Sequence, residues 1–167
     1  MANCERRLNG ESVRGSLGIV AAGISDAEEI LALQKLAFQS EAALYHDFGS
    51  PMLTQTIAAL RSEIAERTVL KAVQEGRIIG SVRGSAAGTT CHIGRLMVHP
   101  ERRGQGTGTH LMTAIEDIFP AVERFELFTG HKSHANIRLY ERLGYRVFKT
   151  EAVSPALSLV FMEKSVA

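Results

Sequence analysis

The segment Leu96-Met97-Val98-His99-Pro100-Glu101-Arg102-Arg103-Gly104-Gln105-Gly106-Thr107-Gly108-Thr109-His110-Leu111 restricts this chain more than any other stretch. An extended apolar run stops at a proline, glycines follow at alternate positions, and Leu111, Met112, Ile115 and Ile118 then recur at helical spacing until Pro120. Proline ends a strand ladder and glycine admits backbone conformations closed to other residues, so the pattern predicts strand, tight turn and helix. Amides opening such a helix lack intrahelical acceptors and lie at the positive end of its dipole, which suits phosphate oxygens. Arg102 and Arg103 add charge beside them. A pyrophosphate fits this turn; a merely flexible turn is the plain alternative.

Two familiar phosphate loops do not match. A Walker loop requires Lys followed by Ser or Thr after its last glycine, whereas Gly108 precedes Thr109 and His110. The dinucleotide fingerprint, started at Gly106, requires a glycine where Leu111 stands.

The surrounding elements are read from periodicity and turn residues. Leu17 to Ala22 predicts a strand, and Ser25-Asp26-Ala27-Glu28 a capping box for a helix carrying Ile30, Leu31, Leu33, Leu36 and Ala37. A second helix follows Pro51 with Leu53, Ile57, Leu60 and Ile64, after a loop at Tyr45 to Ser50. Thr68 to Gln74, Arg77 to Ser85 and Thr89 to Val98 form an antiparallel meander with turns at Glu75-Gly76 and Ala87-Gly88. Beyond the glycine turn and its helix come a strand at Arg124 to Thr129, a helix at Ser133 to Leu143 stopped by Gly144, and strands at Tyr145 to Thr150 and Leu157 to Glu163. The order is β-α-α-β-β-β-α-β-α-β-β, an α+β domain at residues 17–167 preceded by a flexible N-terminal tail at 1–16.

Composition narrows the function classes. Lys and Arg number 19 against 18 Asp and Glu, a net charge of +1, so no global basic field recruits nucleic acid. No apolar stretch approaches the ~20 residues of a membrane span, and no secretory pattern opens the chain, so the cytoplasm is the expected compartment. The cysteines Cys4 and Cys91 carry no framework; Cys91 is expected buried and structural. His131 and His134 lack a carboxylate or cysteine at ligand spacing, and no metal is expected.

Arg103-Gly104-Gln105-Gly106-Thr107-Gly108 after Leu96-Met97-Val98-His99-Pro100 resembles the acyl-CoA-binding motif of the GNAT superfamily of N-acetyltransferases. Asn136-Ile137-Arg138-Leu139-Tyr140-Glu141-Arg142-Leu143-Gly144-Tyr145 resembles the same family's late helix and following strand. Together the matches run from His92 to Tyr145, about a third of the chain. The resemblance implies a single GNAT-like domain with a central mixed, mostly antiparallel sheet flanked by helices, in which the strand ending at Val98 splays from the next strand. It implies that Leu96, Met97 and Val98 hold the pantetheine and thioester of acetyl-CoA. The amides of Arg103, Gly104, Gln105, Gly106, Thr107, Gly108 and Thr109 would take the pyrophosphate. Acyl transfer passes through a tetrahedral oxyanion that preorganised donors stabilise, and an amide near Leu96 to Val98 is the candidate.

Tyr140 occupies the position where the family usually places a tyrosine that protonates the departing thiolate; its other reading is a half-buried aromatic of an amphipathic helix. Ser133, Asn136 and Tyr140 share a helix face by spacing and would meet the cofactor. Ser133 and Asn136 depart from the family's commonest pattern there, and Ser133 serves equally as the helix N-cap. His92 stands four residues before Leu96, where relatives often carry a glutamate base. Imidazole chemistry suits that role, and strand alternation would put His92, Gly94, Leu96 and Val98 on one side. A hydrogen-bonded strand histidine is the alternative. In the loop after the first helix, Asp47 is a candidate to attract an ammonium group.

These readings converge on an acetyl-CoA-dependent N-acetyltransferase acting on a primary amine, small molecule or protein, by direct attack in a ternary complex. The competing reading is a non-catalytic CoA-binding sensor or interaction domain. No nucleic acid, membrane or metal is expected as a partner, and exposed strands or helices would suit a homodimer.

Overall fold

The computed structural model describes residues 16–166. The expected tail therefore lies, but for Ser16, outside the described residues, as does Cys4. In chain order the elements are β1 (Gly18–Ala21), α1 (Ala27–Tyr45), α2 (Pro51–Thr54), α3 (Ile57–Glu66), β2 (Thr68–Gln74), β3 (Arg77–Ala87) and β4 (Thr90–Val98). After them come α4 (Thr107–Ile118), β5 (Arg124–Gly130), α5 (His134–Arg142), β6 (Arg146–Ala152) and β7 (Ser158–Ser165). Short 3₁₀ turns at Ile24–Asp26 and Pro100–Arg102 lead into α1 and the glycine turn.

The strands form one sheet in the order β1-β2-β3-β4-β5-β7-β6. Every pairing is antiparallel except β4 with β5, whose parallel alignment needs the crossover that α4 provides. The mixed, mostly antiparallel sheet expected from the sequence is present. Two apolar clusters cover it. One joins Leu111, Met112 and Ile115 of α4 to Val82, Cys91, Ile93 and Phe125. The other joins Ile30, Leu33 and Ala37 of α1 and Leu60 and Ile64 of α3 to Val69, Ile78 and Met97. The 3.6-residue period of the helices and the two-residue period of the strands bring these side chains together.

Several local expectations need correction. The Ser25–Glu28 capping box does not form, because the 3₁₀ turn before α1 places the Asp26 carboxylate back on the Gly23 N–H at 2.8 Å. The helix expected after Pro51 is two pieces, α2 and α3. Gln55 leaves the helical region, and Thr56 restarts it by accepting the Ala59 N–H at 3.2 Å. Tyr45 is the buried last residue of α1 and not a loop residue.

The consequential difference lies in β4. Arg83 pairs with Gly94 and Ser81 with Met97, so one residue of β3, Val82, stands opposite two of β4, Arg95 and Leu96. The extra residue is a β-bulge at Arg95, whose φ of 53° lies in the left-handed region. Alternation breaks there. Cys91 and Ile93 face the α4 cluster, yet beyond the bulge Leu96 packs against that cluster while Met97 joins the α1 and α3 side. His92 and Gly94 therefore do not share a side with Leu96 and Val98. The bulge also bends β4 away from its parallel neighbour: pairing with β5 covers only Thr90, Cys91 and His92. This is the splay the resemblance implied.

On the α4 side a Cβ built on Gly80 would lie 2.9 Å from Leu111 Cδ1 and 3.0 Å from the Met97 carbonyl oxygen. Gly80→Ala should accordingly lower stability by about 1–3 kcal/mol through overpacking. Urea unfolding measures it, and an unshifted midpoint would mean that α4 does not press so closely on the sheet.

Candidate functional site

The glycine turn takes the shape its composition demands. Gly104 and Gly106 have φ of 75° and 83°, conformations that other residues adopt only with strain. Gly106 caps α4, and the first helical bond runs from the His110 N–H to the Gly106 carbonyl at 3.0 Å. The amides of Thr107, Gly108 and Thr109 are therefore the orphan donors of this helix. Gly108 lies so close under Val98 and Leu139 that a Cβ would come within 3.3 Å of Leu139 Cδ2.

These amides open onto a cavity of about 570 Å³. Leu96, Met97, Val98, Arg103, Gly104 and the Gly106 to Thr109 stretch line it, with Ser133 and Asn136 from the start of α5. Gln105 is exposed and stands outside the lining. The flanking cations are partly engaged. Arg103 Nη2 donates to the Ala37 carbonyl at 2.9 Å, and Arg102 reaches the β2–β3 hairpin at Gln74 Oε1, 3.3 Å away.

Where β4 leaves β5, a second cavity of about 470 Å³ begins. Phe38, Glu41, Leu96 and Asn136 border both, so the two chambers adjoin at the bulge. Tyr140 lines the second chamber, its ring set edge-on against Tyr145 with centroids 6.0 Å apart. Burial, reinforced by the negative charge of Glu41, holds the Tyr140 phenol above its ordinary range, so it stays protonated at neutral pH. His92 lines the same chamber with its side chain 51% exposed, its Nδ1 3.9 Å from Glu126 Oε2 on the facing strand. Glu126 in turn holds Arg124 at 2.7 Å.

Ser133, Asn136 and Tyr140 do lie along one helix and all border the chambers, but Ser133 is occupied. It stands at the N-cap position of α5 without capping it. Its hydroxyl donates to Glu41 Oε2 at 2.6 Å and lies 3.0 Å from the Tyr45 hydroxyl, which itself accepts the Lys132 N–H at 2.9 Å. With the Ser133 proton committed to Glu41, Tyr45 donates to Ser133. The chain Lys132 N–H, Tyr45, Ser133, Glu41 ties the end of α1 to the start of α5. Gly130 permits this approach, since a Cβ there would overlap the Tyr45 hydroxyl.

Sequence reasoning missed Glu41 in this chain and the arginines of the second chamber. Arg83 is only 4% exposed, with Nη1 on Glu63 Oε2 and Nη2 on Gln34 Oε1, both at 2.5 Å. The one available signal was a charged residue inside an apolar strand pattern, Val82-Arg83-Gly84. The remaining candidates are structural in placement. His131 Nδ1 accepts the Ser158 N–H at 3.0 Å, fixing the loop before α5 to β7. Cys91 is buried, and burial pushes its thiol up to about 11.

The model of the Acetyltransferase (GNAT) family matches residues 28–145 of the chain. Over 77 residues it is 31% identical to the catalytic subunit NAA20 of the N-terminal acetyltransferase B complex of Arabidopsis thaliana, a stretch covering 44% of each chain. The match thus spans less than half the length of the curated relatives. Among solved structures, the PaiA N-acetyltransferase of Thermoplasma acidophilum in complex with coenzyme A superposes with a TM-score of 0.76 at 18% identity, over 90% of this chain and 99% of that one. The ribosomal-protein-S18-alanine N-acetyltransferase of Escherichia coli gives a TM-score of 0.75 at 16% identity, over 91% and 95%. At these identities the solved structures speak for the fold.

Tyr45→Phe should leave the Lys132 N–H without its acceptor and cost about 1–3 kcal/mol. Thermal unfolding reads the loss; an unaltered transition would show that the Tyr45 hydroxyl is not part of the tether.

Proposed function

The chain belongs to the GNAT acetyltransferase family, and from that premise we propose that it moves an acetyl group from acetyl-CoA to a primary amine by direct attack in a ternary complex. One observation carries this reading: the orphan amides of the glycine turn open into a chamber that meets, at the β4 bulge, a second chamber holding Tyr140. Such an arrangement suits a long cofactor with its diphosphate at one end and its reactive thioester at the other.

In this reading the amides of Arg103 to Thr109 hold the pyrophosphate, with the helix dipole favouring its charge. Gln105 contributes only its backbone there. Leu96, Met97 and Val98, freed from pairing with β5, line the pantetheine arm. An amide among them meets the oxygen of the tetrahedral intermediate, where preorganised donors typically contribute several kcal/mol. The amine nitrogen bonds to the acetyl carbon to give that intermediate, whose collapse restores the carbonyl and breaks the carbon–sulfur bond. Tyr140 gives its proton, or a hydrogen bond, to the departing thiolate, and its retained proton supports that role. An alkylamine must first lose a proton, at a cost of ~4 kcal/mol at pH 7. His92, half-exposed beside Glu126, accepts it directly or through water. Asn136 borders both chambers and is read as a cofactor contact; Ser133 contributes through its bond to Glu41.

Among the described residues no helix is long and apolar enough to cross a membrane.

Thiol release on mixing the protein with acetyl-CoA and a panel of amines tests the transfer and separates it from a CoA-binding domain without turnover. Tyr140→Phe should lower kcat by about 10²-fold or more while the CoA Kd changes little; unchanged kcat removes its acid role. Gly106→Val, forced into a left-handed backbone at the phosphate turn, should weaken CoA binding by about tenfold or more in calorimetry. Wild-type affinity in that variant would contradict the diphosphate assignment. His92→Ala should erase the acidic limb of the pH profile of kcat/KM, and the same limb in both proteins would exclude it as base.

A further inference from the structure

In the second chamber three arginines gather around one carboxylate, a cluster that acetyl transfer to an arbitrary amine does not require. Arg83 from β3, Arg67 at the end of α3 and Arg95 from β4 all line it, with Glu63 as the carboxylate beside them. Glu63 is already committed to Arg83 Nη1, and the other arm of Arg83 meets only the neutral amide of Gln34. Arg83 thus has its counter-ion, whereas among the described residues Arg67 and Arg95 form no ion pair, and the carboxylate that acts on Arg95 is the same Glu63. Burial first, and then the nearby charges of Arg95 and Arg67, bring the Arg83 guanidinium down to about 10 against the pull of Glu63. Burial also lowers Arg95, opposed by Glu63. Glu41 and Asp47 line the chamber too, but they act on neither guanidinium: Glu41 takes the Ser133 hydroxyl and Asp47 the Gly49 N–H.

Arg95 reaches this chamber because of the backbone. Regular alternation from Cys91 and Ile93 would send it into the apolar α4 cluster; the bulge turns it to the lining opposite α3 instead. Holding an arginine in the left-handed region costs backbone strain. Two buried side-chain donors lack a protein acceptor among the described residues, Arg83 Nε and Arg95 Nη1. Both belong to this cluster. Buried charged donors are ordinarily satisfied, and an unmade bond there is expensive, so the cluster calls for an acceptor from outside the chain.

Taking the transfer reading as given, we propose that Arg95 and Arg67, backed by Arg83, bind a compact oxyanion carried by the acceptor, so that the substrate is a small anionic amine such as a free amino acid. Guanidinium groups pair with carboxylate and phosphate through parallel N–H donors, which fixes the orientation of the molecule as well as its charge. Arg95 precedes Leu96, one of the residues bordering both chambers, so an anion held there leaves the amine of the same small molecule near the thioester end. Glu41 and Asp47, on the α1 side, complement the ammonium group before it loses its proton.

The test uses the full chain, acetyl-CoA and matched acceptors: amino acids against their carboxamides, and phosphoethanolamine against ethanolamine. The anionic member of at least one pair should be favoured by about tenfold or more in kcat/KM, mainly through KM; which pair responds tells carboxylate from phosphate. Arg95→Gln and Arg67→Gln should each lose most of that preference while CoA affinity in calorimetry and the far-UV spectrum stay as in the parent. Arg83 is too deeply buried to serve as the variant. Equal rates across all pairs, or turnover only on peptides, with acetyl transfer intact, overturn the anion site and leave the transfer reading standing. A chain that binds no CoA and releases no thiol with any acceptor fails on the earlier reading, and the anion site falls with it.

Discussion

Everything at the centre of this molecule depends on one extra residue in β4. A parallel pair of strands would ordinarily share its backbone hydrogen bonds along its whole length, burying them beyond the reach of a ligand. The bulge at Arg95 stops that pairing after His92 and leaves the backbone from Leu96 to Val98 without β5 as a partner. Backbone donors and acceptors that are withheld from a sheet must find partners elsewhere. The parting of the strands therefore opens a space lined by backbone that β5 does not pair, and the two chambers meet there.

The parts of the site legible in the sequence are those set by local chemistry. Pro100, the alternating glycines and the helical recurrence after them act within a dozen residues, so the turn and its orphan amides follow without knowledge of the rest. Tyr140 and Asn136 were singled out by the resemblance to the family's late helix, and helical spacing put them on one face. The bulge was not legible: nothing in Gly94-Arg95-Leu96 demands an additional residue, and the expected alternation from His92 to Val98 failed at that point. The break between α2 and α3 was hidden for a related reason, since Leu53 and Ile57 continue one helical pattern across Gln55 and Thr56.

Long-range polar contacts were invisible for a different reason. Glu41 and Ser133 lie 92 positions apart and Tyr45 and Ser133 88, and each looks unremarkable beside its chain neighbours. Arg83, Gln34 and Glu63 come from a strand and two helices, and only the folded sheet makes them a cluster. Apolar residues announce their burial through periodicity, whereas a buried polar residue is defined by its partner.

In the proposed transfer coenzyme A departs as a free thiol, and once an oxidant has turned that thiol into a disulfide, a reactive cysteine can exchange with it. Exchange proceeds through the thiolate. Cys91 is sealed beneath α4 with its proton firmly held. Burial and a retained proton thus withhold from Cys91 the thiolate that such an exchange would need.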